Sequence, residues 1–344
     1  MVACALMRRV GFAVGVAALL GSLAVSADAV TIEWVTVGDP GNAADTSGSP
    51  SPAGGVDEAF QIMKFEFTNQ QYAEFLNSVA ATDTYSLYST NMATNSGRGG
   101  ITRSGSAGSY SYTVRANMGD TPVNSVTWWD AARVCNWLQN GATGTSSTET
   151  GAYTLSGGTS GNAPARNPGA TYYLPTQNQW YKAAYYKGGG TNTGYWTYAT
   201  QSNTDPTAVT ANSTGIGSSG SAGNSANYNN AASWANQTGF VTSVGTNGGP
   251  SAYGAFDMSG NVREWNDLDG LPSSSRGLRG GAWSFAAPNL STSTGNSFAA
   301  TTEGTNNGFR LAAPVAVPEP TTSIMALAGL VCGGYSMWRW RERA

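Results

Sequence analysis

The sequence predicts a single loop-rich α+β domain in which a few short helices and short strands frame one aromatic core. Three observations support this. Helix-start signatures precede apolar residues at helical spacing in three places. Short apolar runs of strand length lie near both ends of the middle region. Long stretches of Gly, Ser, Thr and Asn separate them, in a chain with 45 glycines but only 11% charged residues.

The first helix begins at Thr68, with Gln71 three residues on as a capping-box partner, and Tyr72, Phe75, Leu76 and Val79 follow at helical spacing. The second follows Pro122-Val123-Asn124-Ser125-Val126. Either Thr127 or Ser125 can cap it, and Ala131, Val134, Cys135 and Leu138 form its inner face. The third starts from a second Thr-x-x-Gln box, Thr176 to Gln179, and runs through Trp180, Ala183 and Ala184. Short strands are expected at 32–37, 61–65, 277–285 and 308–312. Polar insertions are expected at 40–56, 93–110, 140–168 and 188–250, with disorder at some of their tips. No internal repeat or linker-like break divides these elements, so they belong to one domain. With 11 tryptophans and 16 tyrosines the chain can fill a large core.

Both ends read as processing segments. Arg8 and Arg9, an apolar stretch from Val10 to Val25 and small residues at 25–29 have the layout of a signal peptide over 1–29. An N-terminal anchor is the alternative, but the apolar run is short for a span. At the other end, Val317-Pro318-Glu319-Pro320 precedes an apolar stretch from Ile324 to Trp338, and Arg339, Arg341 and Arg343 close the chain. This suits either a marginal anchor with a basic tail or a signal that is read and cut. The folded domain is then expected over 30–314. The order of motif, short hydrophobic helix and arginine cluster over 317–343 resembles the PEP-CTERM sorting signal of Gram-negative bacteria. That resemblance implies an exosortase as processing partner and contact with the membrane only transiently, through the C-terminal helix. It also implies delivery of the exported protein to the cell surface or an exopolysaccharide matrix.

Charge and cysteine content exclude several chemistries. Without the ends, five basic residues (Arg8, Arg9, Arg339, Arg341, Arg343) and three acidic ones (Asp28, Glu319, Glu342) drop out. Twelve of the 17 basic and 17 of the 20 acidic residues remain, a net charge of −5. That balance speaks against nucleic acid as a partner. Of the three cysteines only Cys135 lies in the middle region, and the chain has no histidine, so thiol-pair and imidazole chemistry are excluded there. Cys135 lies in an apolar helical stretch and reads as core filler.

A series of short motifs then repays comparison. Pro122 to Trp128 leads into a helix; Tyr173-Leu174-Pro175-Thr176 and Trp180 follow. Next comes Gly254-Ala255-Phe256-Asp257-Met258-Ser259-Gly260-Asn261-Val262-Arg263-Glu264-Trp265. Arg279-Gly280-Gly281-Ala282-Trp283 and Asn307-Gly308-Phe309-Arg310-Leu311 complete the set. In this order, over residues 32–313, the series resembles the formylglycine-generating enzyme, or sulfatase-modifying factor, family. The resemblance implies a C-type-lectin-like fold. It also implies an oxidase that uses two copper-binding cysteines; those positions fall at Phe285 and Leu290, neither of which can bind copper(I). Iron-using branches need histidine. Copper is therefore not expected, no catalytic residue is assigned, and the fold does not by itself confer the activity.

The resemblance further implies a structural calcium ion. Asp257 and Glu264 would be its side-chain ligands, and Gly260 and Val262 would offer carbonyls, a hard-oxygen set that suits calcium. The alternative is that Asp257 and Asn261 cap turns while Glu264 pairs with an arginine. A second calcium site would draw on Asn227 and the Tyr228 carbonyl, but the further aspartate it needs is absent from Asn236 to Phe240. Arg279 and Arg310 are expected in buried structural pairs. Asp267 and Asp269 are expected on a solvated loop. Trp180 reads as core, whereas the aromatics from 185 to 198 offer a surface on which a sugar ring could stack. The functional expectation is a non-catalytic surface or matrix protein that binds exopolysaccharide or another surface ligand. A divergent enzyme with a non-cysteine site, or a purely structural matrix component, are the alternatives.

Overall fold

The computed structural model describes residues 30–315; the signal peptide expected at 1–29 and the sorting signal expected at 317–343 lie outside the described residues. Three helices are present: α1, Asn69–Val79; α2, Trp128–Gln139; and α3, Gln177–Tyr185. Each begins in a reciprocal capping box, which satisfies two amide donors that the first turn otherwise leaves open. In α1 the Thr68 amide donates to Gln71 Oε1 at 2.9 Å and the Gln71 amide to Thr68 Oγ1 at 3.3 Å. In α3 Thr176 and Gln179 do the same at 2.9 and 3.2 Å. For α2 Thr127, not Ser125, is the cap, because Asp130 three residues on completes the box at 2.8 Å.

The strands are short and form four sheets. β1 (Trp34–Val37), β2 (Phe60–Met63) and β11 (Ala312–Pro314) join in the order β1-β2-β11, with antiparallel pairs Trp34–Met63 and Ala312–Ile62. β3 (Ile101–Ser104) and β4 (Ser111–Val114) make a hairpin, and β5 (Thr207–Ala208) and β6 (Ser225–Ala226) a short parallel pair. β7 (Arg263–Asn266), β8 (Ser275–Arg279), β9 (Asn296–Ala299) and β10 (Asn307–Gly308) form the largest sheet, ordered β10-β7-β8-β9.

Three expectations need correction. The strand expected at 277–285 ends at Arg279, because Gly280 and Gly281 take φ values of 93° and 70° and turn the chain. The strand expected at 308–312 is two strands in different sheets. The insertion expected at 93–110 contains β3, whose alternation of hydroxyl side chains hid its register.

The core is aromatic. Trp128, Trp137, Trp180 and Trp265 are fully buried, each removing an area worth roughly 1.5–3 kcal/mol or more from water. Cys135 is buried among them, and burial pushes its thiol pKa well up, as inert filler requires. The polar insertions are held by side-chain amides bonded to backbone. Asn140 Nδ2 donates to the carbonyls of Asn136, Ser147 and Thr150 at 2.7–2.9 Å.

Candidate functional site

The segment from Gly254 to Trp265 crosses the centre of the molecule in a conformation that only certain residues tolerate. Asp257 and Asn261 take φ values of 58° and 56°, in the left-handed region where Asp and Asn are at home. Gly260, at φ 97°, lies so close to the chain that an added Cβ would meet the Asn227 carbonyl oxygen at 2.5 Å. The chain then enters β7, in the interior of its sheet, which buries Glu264.

Glu264 is the hub of a buried polar network. Arg310, two residues past β10, grips it with both arms of the guanidinium fork at 2.6 Å, and Trp180 of α3 donates its indole N–H at 2.7 Å. The remaining Arg310 donors reach the Phe256 carbonyl at 2.8 Å and the Met63 carbonyl at 3.1 Å. One ion pair thus ties α3, β2, the 254–265 segment and the chain after β10 together. Burial works against the charge on Arg310, but Glu264 outweighs it and the arginine pKa is raised.

Two further carboxylates face this pair. Asp257 accepts from the Gly245 amide at 2.6 Å and from Asn247 Nδ2 at 2.8 Å. Glu66 accepts from the Val262 amide at 3.1 Å and from Asn261 Nδ2 at 2.7 Å. Burial, and then repulsion from Asp257 and Glu264, hold the Glu66 carboxyl well above its usual range; burial raises Asp257 as well. Three acids therefore surround one arginine. Glu66 was missed in the sequence, and its only signal is a lone acid between Phe65 and Phe67.

The expected calcium residues Asp257, Gly260, Val262 and Glu264 lie along this one segment, but their oxygens are not equally placed. Both Glu264 oxygens are spent on Arg310 and Trp180, and a cation beside that guanidinium is disfavoured. Asp257 instead lines a water-sized cavity of about 10 Å³ with Thr200, Ser225, Asn247 and Ser259. Among the described residues no three Asp, Glu, Cys or His side chains converge as metal ligands. At the expected second site, Asn227 is fully buried. Its amide donates to Phe240, Thr242 and Asn261, and its Oδ1 has no donor among the described residues.

The two positions for which the resemblance implied thiols, Phe285 and Leu290, differ in their packing. Leu290 is fully buried with Tyr198, Ala226, Tyr228 and Ala287, and its carbonyl accepts from Tyr185 at 3.0 Å and Ser259 at 3.2 Å. Gly281 (φ 70°) packs so tightly on Leu290 that a Cβ would fall 2.6 Å from Leu290 Cδ1. Phe285 is half-buried, with Arg263 5.0 Å from its ring centre. Burial lowers the Arg263 pKa to about 10.

Other expectations divide. Arg310 has the buried partner expected of it, but Arg279 meets no carboxylate among the described residues. It donates to the carbonyls of Thr294 and Ser49 and lies 4.9 Å from the Tyr181 ring. Asp267 is not on a solvated loop. It is buried, bonded to Trp128 Nε1 at 2.8 Å and the Tyr153 hydroxyl at 2.7 Å, and only Asp269 is exposed. Trp180 is core, and so are Tyr185, Tyr186 and Tyr198; of the aromatics from 185 to 198, Tyr195 and Trp196 alone keep partial exposure. Larger concavities open on the surface, one of about 620 Å³ beside Asn212, Ser233 and Trp234. Another, of about 560 Å³, is lined by Glu33, Glu74 and Asp120 over a floor that includes Phe65 and Ile216. A further one, of about 230 Å³, is lined by Asp45, Asn192, Tyr195 and Trp196.

The sulfatase-modifying factor enzyme 1-like domain family matches residues 29–315, and the chain belongs to that family. Its three helices, short strands and long loops are those of the C-type-lectin-like fold. Three solved structures are similar at low identity. CarF shares 22% identity with a TM-score of 0.48, over 83% of this chain and 99% of that one. Treponema denticola variable protein 1 shares 19% with a TM-score of 0.46, over 82% and 95%. PvdO from Pseudomonas aeruginosa shares 18% with a TM-score of 0.41, over 83% and 92%. No curated protein matches the chain.

Proposed function

We propose that this member of the sulfatase-modifying factor enzyme 1-like family is an exported, non-catalytic protein that binds a surface or matrix polysaccharide. The observation that carries the reading is the filled setting of Leu290. Where the family's chemistry needs a thiolate, a fully buried leucine packs among apolar and hydroxyl-bearing side chains, with its backbone carbonyl engaged by Tyr185 and Ser259. A soft metal has no ligand there. The signal-peptide-like and sorting-signal-like ends support export, surface or matrix delivery and exosortase processing. The test has two arms. Incubation with a sulfatase-derived cysteine peptide, copper(I) and dioxygen yields no formylglycine by mass spectrometry above a protein-free control, and immobilised matrix polysaccharide from the producing cells retains the protein. Formation of formylglycine, or no retention, overturns the reading.

The proposal extends to a structural calcium ion at the Asp257 end of the central segment. Support comes from the surplus of three carboxylates over one arginine, and from the hydroxyl-lined, water-sized cavity beside Asp257. Glu264 stays with Arg310 and is not a ligand. A ligand that binds only the folded state raises its melting temperature, so a chelator lowers it. Asp257→Ala abolishes that chelator effect. An identical melting curve with and without chelator removes the calcium claim.

A further inference from the structure

Resting on the polysaccharide-binding reading, we infer that the cavity between the 43–47 loop and the 192–197 loop is a subsite for one pyranose unit with equatorial hydroxyls, stacked on Trp196. Such a ring presents a flat face of axial C–H bonds and a rim of hydroxyls, so it needs an aromatic plane and polar groups around its edge. The cavity offers both. Tyr195 and Trp196 supply aromatic surface, and Asp45, Thr46, Ser47 and Asn192 supply carboxylate, hydroxyl and amide groups. Its volume of about 230 Å³ is below the range typical of drug-sized ligands, which suits a single sugar unit of a longer chain left open to solvent.

Three details support recognition rather than an incidental hollow. The Trp196 indole N–H, like that of Trp129, takes no acceptor among the described residues and is free to donate to a sugar oxygen, while Lys187 Nζ lies 4.6 Å from the Trp196 ring centre on one face. Asp45 is anchored by the Tyr181 hydroxyl at 2.6 Å and by the amide and hydroxyl of Ser47 at 2.8 and 2.7 Å. Burial pushes its carboxyl up, but these bonds outweigh it and hold it below the usual range, so it is a charged acceptor at neutral pH. The walls are also tied to one another. The Ala43 amide donates to the Thr191 carbonyl at 2.8 Å, the Tyr195 hydroxyl to the Ala43 carbonyl at 2.8 Å, and the Thr292 amide to the Thr197 carbonyl at 3.0 Å. A site built in advance loses little ordering entropy on binding.

Titration calorimetry of the folded chain with cellohexaose, β-1,3-linked glucose hexaose and N-acetylglucosamine hexaose tests the inference. At least one of them binds, Trp196→Ala weakens it by about tenfold or more, and Trp196→Phe recovers most of the affinity. Asn192→Ala, at an exposed position that leaves the wall intact, weakens binding by a smaller factor. If a hexaose binds and Trp196→Ala leaves its affinity unchanged, the subsite is refuted while polysaccharide binding stands, with the Phe65–Glu74 concavity as its next location. If none of the three binds while matrix polysaccharide still retains the protein, an equatorial pyranose at Trp196 is refuted alone. If nothing is retained, both readings fall. Melting curves for the Trp196 variants confirm that the comparison is between folded proteins.

Discussion

Two stretches of this chain lie close in sequence and have opposite relations to the family's chemistry. From Gly260 to Trp265 the chain is polar at its centre: Glu264 is buried, gripped by Arg310 and Trp180, and neighboured by Glu66 and Asp257. From Trp283 to Leu290, the stretch for which thiols were expected by resemblance, the chain is largely apolar, and Leu290 is packed against the Gly281 turn. The first stretch holds four separate segments in place, so removing one member of its network unbalances all of them. The second is held by apolar packing, which asks for volume more than for particular polar partners.

That contrast can be broken at either end. The largest effect is expected at the ion pair. Glu264→Ala removes the carboxylate that Arg310 grips with both arms and leaves the buried guanidinium without that hydrogen-bonded partner, which destabilises the domain by about 3–5 kcal/mol in denaturant titrations. Replacing both partners together, Glu264→Met with Arg310→Met, recovers a substantial part of that loss; equal loss in the single and double variants would show that the network, not the charge pair, carries the cost. Next comes Leu290→Ala, expected to cost about 3 kcal/mol through lost burial and the cavity left behind. A cost below about 1 kcal/mol would mean the position is still a pocket.

The smallest effect is in the pH dependence. Burial lifts Asp130 to about 7 and Asp267 to about 6. Both folded values lie above the unfolded value of roughly 3.9, so the folded state holds protons that the unfolded chain has released. Stability from these groups is therefore full below about pH 4 and is lost as pH rises through about 6 and 7. Asp130→Asn flattens the upper part of that slope by an amount on the order of 1 kcal/mol, readable as a melting temperature that falls less steeply between pH 5 and about 7, with the Asp267 contribution remaining. An unchanged slope would show that Asp130 is already ionised in the folded state across this window, as it is in the unfolded chain.

Local chemistry was readable in advance wherever a few neighbouring residues decide it. The boxes at Thr68 and Thr176 each consist of a hydroxyl and an amide three residues apart, and both cap their helices as expected. Trp180 was legible as core for the same reason. Groups whose role depends on distant partners were not. Asp267 looked like one of two loop acids, yet Trp128 and Tyr153, from more than a hundred residues away, bury it. Tyr185, Tyr186 and Tyr198 looked like surface, and only the folding of the 188–200 loop against α3 separates them from Tyr195 and Trp196. Asp45 gave no sequence signal at all, since its place in a cavity follows from Tyr181 and from the loop that carries Trp196.

By itself, then, the sequence determined the loop-rich α+β class, the helix starts, the absence of imidazole from the whole chain, and the placement of Phe285 and Leu290 in the motif series. These follow from residue type and short-range spacing. Only the tertiary structure decided that Glu264 belongs to Arg310, that Glu66 joins them, that Arg279 is met by carbonyls instead of a carboxylate, and that Trp196 shares a cavity with Asp45. Each of those outcomes depends on which segments the packed core brings within hydrogen-bonding distance, and in a fold with short strands and long loops that proximity is set by the whole chain at once.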